Sequence, residues 1–299
     1  MALVELAPLQ LLPATAAGVL YAFGVHRLHG TPRAVPGWRQ ACFYGGLALI
    51  VGALTLIGEP AEELFWPHMV EHLLLGDLGT LLLVLGLTGP LLAPVLRIRV
   101  FDRLRVLAHP LVAFPLWALD LYAWHLSALQ DAAVRHSGVH ALQHAGFIVF
   151  GANMWMALLG PLPKPAWFGN LARLVYIIAV RLVGGILGNV LVFGGSSFYG
   201  VYRAGEAAHG LSPAADQNAA GAIMMVESSI LTILLFGWLF ARTAREAEER
   251  QELLDLARGR GVELSEQRAA RAVAAGRGAE LRRRIEGASQ RATSGAPRG

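Results

Sequence analysis

The sequence predicts an all-α polytopic membrane protein, a bundle of seven transmembrane helices, and three observations carry that expectation. Hydrophobic residues fill 55% of the 299 positions and charged residues only 15%, a balance that points away from a water-soluble enzyme. The apolar residues gather in seven runs, at about 8–26, 39–57, 69–96, 110–129, 138–160, 171–193 and 219–241, and roughly 20 such residues carry a helix across a hydrocarbon layer about 30 Å thick. The runs are also too long and too little alternating for barrel strands. With no water in the hydrocarbon to satisfy backbone groups, each crossing is expected to be helical.

Taken in order, the first run has no Lys or Arg before it and Arg27 after it, the reverse of a secretory signal, so it is expected to be retained. The second begins beside Cys42, the single cysteine, which excludes an internal disulfide or a Cys-pair metal site. The third opens with WPHMVEHLLL, residues 66–75, which places His68 and His72 four apart. The fourth carries Asp120 and ends near His125, the fifth opens with His136, His140 and His144, the sixth holds Arg181, and the seventh holds Met224, Met225 and Glu227. From Arg242 the composition turns to Ala, Arg and Glu, as in AREAEERQELLDLARGRG. The expected organisation is therefore a membrane domain over 1–241 and a tail over 242–299, helical and then disordered.

Basic residues sort by loop. Arg27, Arg33 and Arg39 follow the first run, Arg97, Arg99, Arg103 and Arg105 the third, Lys164 and Arg173 the fifth, and thirteen Arg fill the tail, whereas the alternate loops hold only Arg135 and Arg203. The positive-inside rule then places the C-terminus in the cytoplasm and the N-terminus outside. The formal charge of +4 is a topological signal and gives no reason to expect nucleic acid as a partner.

On this topology His68, His72, His125, His136, His140 and His144 share one side of the membrane, six of the ten histidines. Side chains four apart on a helix are about 6 Å apart along the axis and about 40° apart around it, so His68/His72 and His140/His144 each form a clamp on one face. Facing helices of a bundle build metal and cofactor sites in this way. A histidine at a helix end is more often merely wetted at the interface, but two clamps and His125 on one side favour ligation. His26, His29, His109 and His209 read as boundary or loop residues. Imidazole suits copper, zinc, iron and nickel, and the thioethers Met69 and Met224 tilt the choice towards Cu(I); haem held by a histidine pair is the alternative. Asp77, Asp120, Arg181 and Glu227 fall near mid-membrane. Arg181 is expected to pair with Asp120 or Glu227, leaving an acid free to relay protons or attract a cation.

HMVEHLLL (68–75), WHLSALQDAAV (124–134), HALQH (140–144) and LSPAADQNAAGAIMM (211–225) occur in the order found in the CtaG family of membrane cytochrome c oxidase assembly factors, which residues 40–245 resemble. The resemblance implies seven helices and a non-catalytic role in assembling a haem–copper oxidase in a prokaryotic plasma membrane. It further implies copper as cargo and an oxidase subunit as partner. Its motif positions fall on His68, Met69, His72, Trp124, His125, His140, His144, Asp216, Gln217, Gly221 and Met224. Departures are the absence of a proline in GDLGTLLLVLG, Ser127 where the pattern has proline, and Ala220 and Met225 in place of a glycine and a tryptophan. The expected ligands are His68, His72, His125, His140, His144 and Met224. Asp216 would fix an imidazole tautomer or cap the seventh helix. A haem-binding enzyme or carrier, or a copper transporter with Asp77, Asp120 and Glu227 as its path, are the competing classes.

Overall fold

The computed structural model describes residues 7–98 and 104–294, with side chains over 11–98 and 106–287. Arg99 and Arg103, named above for topology, and Arg298, the last of the thirteen tail arginines, lie outside the described residues. Among these residues every regular element is a helix, and four helical runs, at 37–63, 65–86, 170–193 and 213–259, are long and apolar enough to cross a membrane.

The chain forms two compact units, Met1–Thr232 and Ile233–Gly299. The division falls inside a continuous helix, before the expected boundary at 241. In the first unit α1 covers Ala7–Leu28 and α2 Gly37–Gly52, with a π-helical segment Ala53–Ile57 leading into α3, Gly58–Glu63. Next come α4 (Phe65–Leu73), a second π segment (Leu74–Gly79) and α5 (Thr80–Gly86), then α6 (Gly89–Leu96) and the short α7 (Leu104–Leu107). They are followed by α8 (Pro110–Trp124), α9 (Ser127–Arg135), α10 (Ser137–Leu158), α11 (Asn170–Phe193), α12 (Arg203–Ala208) and α13 (Pro213–Gly259).

Two of the expected continuous runs are broken. The 69–96 run stops at Gly86, where Leu87 and Thr88 are extended, and α6 restarts with Pro90 in its first turn, a position where the missing N–H costs nothing. The 110–129 run stops at Trp124. His125 leaves the helical region, Leu126 is extended, and the His125 carbonyl accepts from the Tyr199 hydroxyl at 2.9 Å. Helix α10 is 22 residues long but carries His140, Gln143, His144 and Asn153, polar groups that suit a helix facing a site better than one facing lipid.

Small residues let the backbones approach. A Cβ on Gly151 would lie 1.9 Å from the Gly76 carbonyl oxygen, and one on Gly46 would lie 2.7 Å from that of Gly79. The π segment between α4 and α5 is therefore clamped between α10 and α2, the small-residue packing that membrane helices favour. Its loosened carbonyls are satisfied by side chains, since Thr80 Oγ1 donates to Gly76 O at 2.7 Å and Trp155 Nε1 to Asp77 O at 3.0 Å. The core beside it is built from Phe65, Met69, Trp124, Phe147, Tyr202 and Met224 among others.

The second unit comprises the end of α13 with α14 (Glu266–Ala274) and α15 (Gly278–Ser294), which close over Leu253, Ala257, Val273, Leu281 and Ile285. Ser265 caps α14 by accepting from Arg268 N. Helix thus continues to Ser294 in a tail expected to be helical and then disordered, and its last five residues lie outside the described ones.

Candidate metal centre

Helix α4 begins without a cap of its own, because Leu64 is extended and offers no polar side chain. Its first amides are met from a distance of 150 residues in sequence: the Asp216 carboxylate accepts from Phe65 N at 2.8 Å and from Trp66 N at 2.9 Å. A carboxylate on the first N–H groups of a helix satisfies orphan donors and complements the helix dipole. Asp216 therefore caps α4 and not the seventh run, whose start is served by Ser212 Oγ, accepting from Ala215 N at 3.2 Å. No described hydrogen bond links Asp216 to an imidazole.

One turn into α4 the two clamps meet. The His68 and His140 rings are 5.4 Å apart and the His72 and His144 rings 5.7 Å, while within each helix the pair is 4.1 Å apart. Because 68 faces 140 and 72 faces 144 with the same offset, α4 and α10 run parallel at the site. All four imidazoles are buried. His68 Nδ1 sits 3.3 Å from the Ala61 carbonyl, which can only accept, so Nδ1 carries the proton and Nε2 the lone pair. The Nε2 atoms of His68, His72 and His140 are buried without a hydrogen-bond partner, a state that native interiors rarely tolerate without reason.

Sequence reasoning passed over the fifth member, Glu71. It is 1% exposed, and its Oε1 lies 3.6 Å from His144 Nε2 and its Oε2 4.0 Å from His140 Nε2. No described ion pair joins it to Lys or Arg. The signal was present in HMVEH, since a residue three after His68 stands about 60° from it around the helix. Donor atoms of His68, His72 and His140, and those of Glu71, His140 and His144, fall within 4.8 Å of one another. Ligands about 2.05 Å from a tetrahedral ion are about 3.3 Å apart, so small side-chain rotations close the set. The residues fit a transition-metal ion.

The remaining expected ligands lie elsewhere. His125 and Met224 line a neighbouring cavity of about 60 Å³ together with Met69, Asp77, Arg181 and Glu227, and His72 is the residue of the four-histidine cluster that also lines it. The Phe147 ring touches this wall, 4.5 Å from His72 and 6.4 Å from His125. His125 Nδ1 donates to Leu121 O at 2.7 Å. Arg181 Nη1 pairs with Asp77 Oδ2 at 2.9 Å and Glu227 Oε2 at 3.7 Å. The expected alternative partner, Asp120, instead accepts from Trp124 Nε1 at 2.9 Å, one turn along its own helix.

The other motif positions are structural. Gln217 Oε1 accepts from Phe198 N at 2.8 Å and its Nε2 donates to Leu191 O at 3.0 Å, which ties the chain before α12 to α13. Gly221 packs on the backbone of Gly188. A buried chain that sequence reasoning also missed runs from Gln143 Nε2 to Gln130 Oε1 at 2.9 Å, and from Gln130 Nε2 to the Tyr202 hydroxyl at 2.8 Å. It ends 6.1 Å from the His68 ring. Of the histidines set aside, His209 is exposed and lies 3.6 Å from Glu63, and His109 caps α8.

A family model described as cytochrome c oxidase caa3 assembly factor (Caa3_CtaG) matches residues 19–246. An uncharacterized protein of Mycobacterium leprae (strain TN) is 26% identical over 252 residues, which are 77% of this chain and 38% of that protein. The chain thus spans well under half the length of that curated relative. No solved structure matches.

Proposed function

This chain belongs to the CtaG family of cytochrome c oxidase caa3 assembly factors, and from that premise we propose that it carries copper for the oxidase, taking Cu(I) between α4 and α10 and passing it to an oxidase subunit. The observation that carries the proposal is the set of buried Nε2 atoms of His68, His72 and His140, none with a hydrogen-bond partner, with Glu71 beside His140 and His144. Imidazoles without a metal gain nothing from being packed together out of water, and four of them, two beside the Glu71 carboxylate, supply one ion with a complete donor set.

The charge balance favours a monovalent ion. Four neutral imidazoles and one carboxylate carry one negative charge, which Cu(I) cancels, and an uncancelled charge in such a place is strongly destabilising. Ala61 orients His68 through its carbonyl, the outer support that metal-bound histidines require. Release proceeds by ligand exchange, in which a docked oxidase subunit offers its own side chains as those of His68 and His140 let go. The copper is cargo, so no bond in the protein is made or broken beyond these coordinate bonds. Haem suits the geometry less well: rings 5.4 and 5.7 Å apart leave no slot for a porphyrin plane between the two helices.

The test is made in cells. A His68→Ala/His72→Ala variant, present in the membrane at the wild-type level, is expected to leave the caa3-type oxidase short of copper, and Glu71→Gln to do so partially. Full copper in the oxidase of the double variant defeats the proposal. A Soret band in the purified protein, lost in the same variant, would replace copper by haem.

A further inference from the structure

We infer that the cavity on the other side of His72 is a second binding site, specific for a soft monovalent cation of the Cu(I) type, with Met69, Met224 and His125 as donors. The inference rests on the copper-handling reading only for the identity of the ion. Its own support is three independent observations about the cavity.

The first is the donor set. Met69 and Met224 are 1% and 6% exposed and reach the cavity from α4 and α13, and His125 reaches it from the end of α8. Because His125 Nδ1 is held as a donor to Leu121 O, its lone pair is on Nε2. Two thioethers with one imidazole and no thiolate form a soft, neutral set that selects Cu(I) over Zn(II), Na⁺ or K⁺.

The second is charge. Arg181 faces two carboxylates, Asp77 and Glu227, at the cavity wall, and Glu227 Oε1 is buried without a hydrogen-bond partner. Once Glu227 gives up its proton, one guanidinium against two carboxylates leaves one negative charge in a low-dielectric setting. A monovalent cation on neutral donors cancels it, whereas a divalent one overshoots.

The third is size. A space of about 60 Å³ holds an ion or a few waters, each water needing about 10–15 Å³ on this measure, and excludes an organic ligand. His72 belongs to both compartments, so the two sites are linked by a shared wall.

The experiment is anaerobic Cu(I) loading of the full chain in detergent, read by X-ray absorption at the copper edge and by copper stoichiometry. Wild type is expected to bind two Cu(I) with a sulfur shell. Met69→Leu/Met224→Leu, a near volume-conserving change, is expected to bind one, with nitrogen and oxygen scattering only. Where the double variant does not fold, Met224→Leu alone should halve the sulfur amplitude. Glu227→Gln is expected to weaken the sulfur-ligated copper at least tenfold. Wild type without sulfur scattering, a methionine variant with undiminished copper, or a Glu227→Gln variant with unchanged affinity each overturns the second site. His68→Ala/His140→Ala separates the two ideas: it should keep the sulfur-ligated copper and lose the other. If it keeps both while the methionine variant loses one, the first site fails and this one stands.

Discussion

Replacing Asp216 by Asn perturbs one atom and tests how the first clamp is held. Asp216 offers both carboxylate oxygens to the first two amides of α4, at 2.8 and 2.9 Å, from a side chain that is 1% exposed. An Asn keeps one acceptor and turns an NH2 group towards the second amide, so one hydrogen bond to a charged group is lost and a donor faces a donor. Bonds of that kind contribute about 1.5–3 kcal/mol each, and a buried donor left unpaired costs about 1–3 kcal/mol. A local loss of about 2–3 kcal/mol corresponds to roughly a 30- to 150-fold shift in the opening equilibrium, at about 1.4 kcal/mol per factor of ten. Amide hydrogen exchange read by mass spectrometry on a peptide covering Phe65–His68 measures it directly. Exchange accelerated less than threefold would refute the cap. Because His68 lies in the same turn, the variant should also bind copper more weakly than wild type, whereas Asp120→Asn, whose side chain meets only Trp124 among the described bonds, should not.

Gly151→Ala should separate α10 from the π segment, since the new Cβ would fall 1.9 Å from Gly76 O. Overpacking of this kind costs about 1–3 kcal/mol, read as a lower thermal midpoint in detergent, whereas Gly138→Ala, with nothing within 4 Å of its Cβ, should leave the midpoint unchanged or raise it. Lys164 donates to Met156 O, and burial, aided by Arg173, lowers its pKa to about 8. The folded protein therefore binds this proton less well than the unfolded chain. Its contribution to stability should rise as pH climbs from about 8 towards the unfolded value of 10.5. Thermal midpoints of wild type and Lys164→Met across that window check it; an identical pH slope in both would remove Lys164 as the source.

The helical class and the two histidine clamps were legible because both follow from local spacing, in apolar run lengths and in i, i+4 pairs. What was missed depends on non-local partners. Nothing near Asp216 announces that it serves amides 150 residues earlier, and Arg181 finds Asp77 across 104 residues while Asp120 turns back to Trp124. Hydropathy runs uninterrupted through Leu87–Thr88, so it does not mark the break there, and beyond His125 the chain turns polar, which signals an end to the run but not the corner that the backbone makes. Glu71 was overlooked because a carboxylate between two histidines reads as a solvated charge until α10 is seen to cover it. The expected single ligand set, with His125 and Met224 beside the four clamp histidines, occupies two compartments that meet at His72, a separation that the spacing of residues on separate helices does not reveal.

The most direct test of the metal centre is anaerobic Cu(I) titration of the full chain against a competing chelator, wild type beside His72→Ala/His140→Ala. Wild type is expected to draw copper from the chelator, and the variant, stripped of one ring from each helix, to lose that nitrogen-ligated copper. Equal uptake at equal affinity by the two proteins would contradict a site shared between α4 and α10.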